Sequence, residues 1–136
     1  MKTWYLYSLL TVLVWGFWGL FTKLAVESSK PRHMLLFQAV GVLAFALLVL
    51  FLLRFSVEWS TRGFTYSFLA GFAAFIGFLT FFIALETGKA STVVTLSALY
   101  PVVTIALSIA LLHEKLTLTQ GIGIVFALVA SVLLAL

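Results

Sequence analysis

The chain is a succession of apolar runs separated by short clusters of charge. Cutting it at the charges leaves five runs: Thr3 to Thr22, Met34 to Leu53, Gly63 to Leu85, Ala90 to Leu112 and Leu116 to Leu136. Each is close to the roughly 20 residues that a helix rising about 1.5 Å per residue needs to cross a hydrocarbon core about 30 Å thick. A chain of 136 residues cannot bury so many apolar helices in its own interior, so the solvent must be lipid. The pattern predicts a single domain, residues 1–136, with the fold of an all-α integral membrane protein of five transmembrane helices. The first run follows Lys2 but is too long and too aromatic for a signal peptide, and it lacks a small-residue cleavage site. There is no internal repeat.

The polar positions inside the runs carry the functional information. In the fourth run Ser97, Pro101, Thr104 and Ser108 are spaced i, i+4, i+7, i+11, one helical stripe, with Tyr100 beside it. Pro101 has no N–H and clashes with the carbonyl of Ser97, so a helix kink is expected there. Two readings stand for the stripe. Its hydroxyls bond back to their own helix, or they line a polar cavity of the kind that broken helices form in transporters.

In the first run Gly16, Gly19 and Lys23 share a face, beside Trp15 and Trp18. The glycines allow close approach of a helix or leave room for a ligand. Lys23 either snorkels to the headgroups or turns inward as a fixed positive charge. Inward, it needs Glu27, one turn on, or an anionic substrate, because an unpaired charge there costs about 3 kcal/mol or more. Gln38 stands alone in the greasy second run and needs a partner on another helix. In the third run Phe68, Phe72, Phe75 and Phe82 form one stripe, expected to face lipid, and Ala70, Ala73 and Gly77 another, expected to pack on a neighbour. In the fifth, Gly123, Ala127, Ser131 and Ala135 recur at i+4. Such a small-residue seam serves packing inside the protomer or a dimer contact, with the dimer preferred.

Composition excludes several classes. The chain is 64% hydrophobic and 9% charged, against about 25% charged in soluble domains. It has no cysteine, hence no disulfide or thiolate metal site. No cofactor or metal is implied. The net charge of +4 is scattered over the junctions without a basic stripe, so nucleic acid is not an expected partner. The two histidines lie at junctions with no nucleophile–base pairing, which argues against an enzyme.

Charge also bears on orientation. Five crossings put Lys2, Arg54, Arg62 and Lys115 on one side and Lys23, Lys30, Arg32 and Lys89 on the other. Lysine and arginine asymmetry normally fixes orientation, and here there is none. The chain is expected to insert both ways up, or to be oriented by a partner; two oppositely oriented copies form an antiparallel, inverted homodimer, the arrangement other transporters build from inverted repeats.

Trp15-Gly16 followed by Lys23, Ala84-Leu85 through Ala90-Ser91, Pro101, and Leu112-His113-Glu114-Lys115-Leu116-Thr117 with Gln120 and Gly123 form an ordered set. With these residues the chain resembles, over nearly its whole length, one half of the EamA-domain transporters of the drug/metabolite transporter superfamily. The resemblance implies a five-helix unit. Common members carry two such units in inverted topology around a central cavity; one unit alone is expected to act as an antiparallel dimer. Two positions depart from the pattern. Gln38 stands where many members carry arginine, and His113 where glycine is usual. The smaller multidrug relatives use a first-helix glutamate for proton exchange against cations, and no acid lies within any run here.

The expected function is transport of a small metabolite, anionic or zwitterionic if Lys23 faces inward, by alternating access in a multi-pass protein of the cell (inner) membrane. The substrate is expected between helices 1–4, against Trp15, Trp18, Lys23, Gln38, Ser97, Tyr100 and Thr104. The alternative is a non-transporting membrane scaffold or one subunit of a heterodimer.

Overall fold

The computed structural model describes residues 3–135, with side chains through 134; Lys2 and the side chain of Ala135 lie outside the described residues. Among the described residues every regular element is an α-helix: α1 (Thr3–Val26), α2 (Pro31–Leu52), α3 (Thr61–Thr87), α4 (Ala90–Ser97), α5 (Tyr100–Leu112) and α6 (Leu118–Ala135). Thr3–Val26, Pro31–Leu52, Thr61–Thr87 and the α4–α5 stretch Ala90–Leu112 are long and apolar enough to cross a membrane. Only 6%, 0%, 11% and 6% of their most apolar windows is buried, so lipid is what these helices are built to face. Leu118–Leu134 is apolar but shorter. At about 1.5 Å per residue it spans roughly 26 Å, which a locally thinned bilayer accommodates.

The helix ends follow local chemistry. Pro31 opens α2, three residues before the second run begins, where its missing N–H is harmless. Ser60 caps α3 by accepting the Gly63 N–H at 3.2 Å. Thr117 and Gln120 form a reciprocal box at the start of α6. The Thr117 N–H donates to Gln120 Oε1 at 2.8 Å, and the Gln120 N–H donates to Thr117 Oγ1 at 3.3 Å.

Two helices end on non-glycine residues in the left-handed region. At the end of α2 the N–H of Phe55 bonds the Leu50 carbonyl and that of Arg54 the Phe51 carbonyl, a Schellman closure. Arg54 has φ 52° and Phe55 φ 60°. At the end of α5 His113 has φ 54°, and its N–H bonds the Ser108 carbonyl. A side chain costs about 1–2 kcal/mol at such a φ, whereas glycine costs nothing there but makes the unfolded chain looser by about 0.5–1 kcal/mol. Arg54→Gly and His113→Gly are therefore each expected to raise stability, by about 0.5–1 kcal/mol, in denaturant titrations in detergent. A loss of stability in either variant would mean that the side chain holds the turn.

The chain divides into two compact units, Met1–Glu86 and Thr87–Leu136. In the first, α1 packs on α2. Trp18 lies on α3 against Phe81 (ring centroids 5.4 Å, planes 22° apart) and Phe78 (5.5 Å, 47°). Trp18 faces Phe78 and Phe81, and Lys23 faces Leu85, so α1 and α3 run in the same direction. Thr22, Pro31, Met34, Phe82 and Leu85 are buried, all where α1 and α3 end and α2 begins. In the second unit α6 packs on α4.

In the fourth run a turn at Ala98-Leu99 separates α4 from α5, tightened by the Leu99 N–H to the Leu96 carbonyl and the Val102 N–H to the Leu99 carbonyl, with both residues still in the right-handed helical region. Pro101 then sits in the first turn of α5, where it needs no N–H partner. α3 continues through Thr87, past Leu85 where the third run ends. The third-run stripes depart in part: Phe68 and Phe72 are exposed as expected, but Phe82 is buried and Phe75 half-covered, while Ala70, Ala73 and Gly77 are exposed. A Cβ added at Gly77 meets nothing within 4 Å. Phe78 links the two covered rings to α1: it packs on Trp18, meets Phe75 edge-on (ring centroids 5.7 Å) and stacks on Phe82 (6.3 Å), contacts that alanine could not make.

Candidate functional site

The residues singled out by polarity fall into the two units, four in the first and three in the second. In the first, Lys23 is the centre. It lies in the last turn of α1, and its ammonium Nζ donates to the carbonyl of Leu85 at 3.3 Å. The last carbonyls of a helix have no partner within it and carry the negative end of its dipole. Leu85 is two residues from the end of α3, so Lys23 caps a neighbouring helix. Glu27 Oε1 stands 3.9 Å from the same Nζ; the Lys23 side chain is 28% exposed and that of Glu27 60%. An ammonium has three donors. The carbonyl takes one, and the carboxylate lies at ion-pair distance, beyond an ordinary hydrogen bond.

This placement is neither of the two extremes expected. Lys23 does not extend away from the protein, and it is not bare inside it. It is drawn against α3 and half-covered, with an acid near the exposed side. One turn back, Trp18 is half-covered by the phenylalanines of α3. Trp15 is exposed, and a Cβ at either Gly16 or Gly19 would meet nothing within 4 Å, so no helix makes the close approach those glycines permit. Gln38 is half-covered on α2, and none of the described hydrogen bonds reaches its carboxamide.

In the second unit Ser97 ends α4, and Tyr100 and Thr104 lie in the first turns of α5, all three exposed. The Thr104 hydroxyl donates to the Tyr100 carbonyl at 3.4 Å, a long bond within its own helix. Other hydroxyls do the same more closely: Ser8 to Trp4 and Thr11 to Tyr7 at 2.9 Å, and Thr95 to Ser91 at 2.7 Å. Back-bonding thus accounts for Ser8, Thr11 and Thr95 and weakly for Thr104, while none of the described hydrogen bonds involves the hydroxyls of Ser97 and Ser108. On the last helix Gly123 and Ala127 are exposed and Ser131 is half-covered. The covered positions there are Gly121, Ile124 and Leu128, with Ser131 at the edge, so the small-residue seam lies mainly off the covered face.

A shallow cleft of about 200 Å³ lies at the start of α3, lined by Val57, Glu58, Trp59, Ser60, Gly63, Phe64 and Ser67. None of the candidate residues borders it. Among the described residues no group of acids and histidines could hold a metal ion.

The sequence reading missed the Leu85 carbonyl. A backbone acceptor carries no residue signal, and only the unusual position of a lysine in a helix end pointed toward a partner.

The sequence profile of the EamA-like transporter family matches residues 2–136. An uncharacterized protein of Methanocaldococcus jannaschii is 33% identical over 136 residues, covering 100% of this chain and 98% of that protein. No solved structure matches the chain.

Proposed function

Because the chain belongs to the EamA-like transporter family, we propose that it moves a small anionic or zwitterionic metabolite across the membrane, working by alternating access as a pair of oppositely oriented copies. The chain carries one unit of the family, as does its archaeal relative of matching length.

The observation that carries this reading is the position of Lys23. A cation held part-buried at a helix end, with donors to spare beyond the Leu85 carbonyl, is a site for an anionic group. Trp15 and Trp18 supply aromatic surface beside it. The carboxamide of Gln38 adds neutral hydrogen bonding in the same unit, and Ser97, Tyr100 and Thr104 are the polar groups that the second unit offers by itself. The absence of an acid within any membrane run argues against cation exchange by an intramembrane glutamate. The exposed seam at Gly123 and Ala127 supports pairing of two copies. With α6 as a fifth crossing, evenly shared basic residues let the two copies sit in opposite senses. The inner membrane is the expected location.

Purified protein alone, in liposomes, tests this. Saturable uptake of at least one labelled carboxylate or phosphate metabolite is expected. No flux with a broad panel would favour the scaffold or heterodimer subunit instead.

A further inference from the structure

The pair formed by Lys23 and Glu27 runs against what helix stability alone would select. A lysine followed by a glutamate at i+4 is the weaker order of such a pair. Glu27 directly follows Val26, the last residue of α1, so its negative charge sits at the negative end of the helix dipole. Its backbone is nevertheless fixed there, with the Glu27 N–H on the Lys23 carbonyl at 3.3 Å. Among the described residues it forms the ion pair of the protein.

The two acceptors around Lys23 hold it differently. The Leu85 carbonyl at 3.3 Å is a hydrogen bond from a neutral, immobile group. The Glu27 carboxylate at 3.9 Å is an attraction without a committed hydrogen bond, from a side chain 60% exposed. The first fixes where the ammonium is. The second neutralises it and is free to swing into water.

We infer that Glu27 is the resident counter-anion of the Lys23 site, a carboxylate that occupies the ammonium until the anionic group of the substrate displaces it. This rests on the reading of Lys23 as the anion-binding residue. No bond is made or broken: one carboxylate replaces another on the same cation. Two consequences follow. Glu27 competes with substrate and so weakens its apparent affinity. It also leaves Lys23 paired after release, so the empty carrier can reorient without an uncompensated charge in a low-dielectric environment.

The test titrates succinate and inorganic phosphate separately into wild type, Glu27→Gln and Lys23→Met in lipid nanodiscs. Glu27→Gln is expected to bind at least one probe about two- to fivefold tighter than wild type, the factor an exposed pair of this kind supplies. Lys23→Met is expected not to bind. In liposomes, Glu27→Gln should keep exchange of internal for external probe while net uptake falls, since only net uptake needs the empty carrier to return. Equal or weaker binding by Glu27→Gln, with Lys23→Met inactive, would overturn the role of Glu27 and leave the anion site standing. Undiminished binding by Lys23→Met, or binding of neither probe by any of the three proteins, would overturn both.

Discussion

Replacing Lys23 with methionine is expected to abolish transport while the protein still folds. Methionine keeps the unbranched stem of the lysine and removes only the ammonium. Two interactions go with it, the 3.3 Å bond to the Leu85 carbonyl and the 3.9 Å pair with Glu27. The structural cost is moderate. The carbonyl belongs to Leu85, a fully buried residue, and a buried acceptor left without its donor costs about 1–3 kcal/mol. The functional cost is large. A substrate anion entering the membrane without a counter-charge is penalised by about 3 kcal/mol, which is roughly a 100-fold loss of rate. Flux in liposomes measured alongside thermal unfolding separates the two. Transport unchanged in a variant of slightly lowered stability would reduce Lys23 to a cap on α3.

The second large effect is expected at Gly123. Gly123 is exposed and an added Cβ meets nothing within 4 Å, so the chain around it leaves that side open. In the proposed inverted pair the same position would lie in a seam of small residues that lets two backbones touch. A leucine there would hold them apart, and overpacking of this kind costs about 1–3 kcal/mol or more. Gly123→Leu is expected to lower the dimerisation constant by about 10- to 100-fold and transport with it. Ile122→Leu, next to the seam, should change neither. Energy transfer between labelled copies at varied protein-to-lipid ratio gives the constant. An unaltered constant for Gly123→Leu would place the seam against lipid.

The features legible in the sequence are those set by short-range chemistry. Pro31 marks the start of α2 because a proline is at ease in a first turn. The signature from Leu112 to Gln120 becomes intelligible as two adjoining devices. His113 takes the left-handed conformation that stops α5, a conformation that costs glycine nothing. Thr117 and Gln120 then open α6 with a capping box.

The features that escaped depend on partners far along the chain. The phenylalanines and small residues of α3 could not be assigned to faces because lipid is as apolar as a protein interior, so hydrophobicity does not tell one side from the other. Only Trp18, about 60 residues earlier, selects Phe78 and Phe81. The candidate site was legible as residue types and not as bonds. Lys23 could be identified as an anomalous charge, but its reach to a carbonyl 62 residues away follows only from α1 and α3 lying side by side.

The central proposal is that two copies work in opposite senses in one membrane, and the side on which the C-terminus lies tests it most directly. The chain is fused at that end, in parallel, to a reporter active only in the cytosol and to one active only outside it. Comparable activity from both fusions is the predicted result. Activity from one alone would mean a single orientation, and the inverted pair would fall.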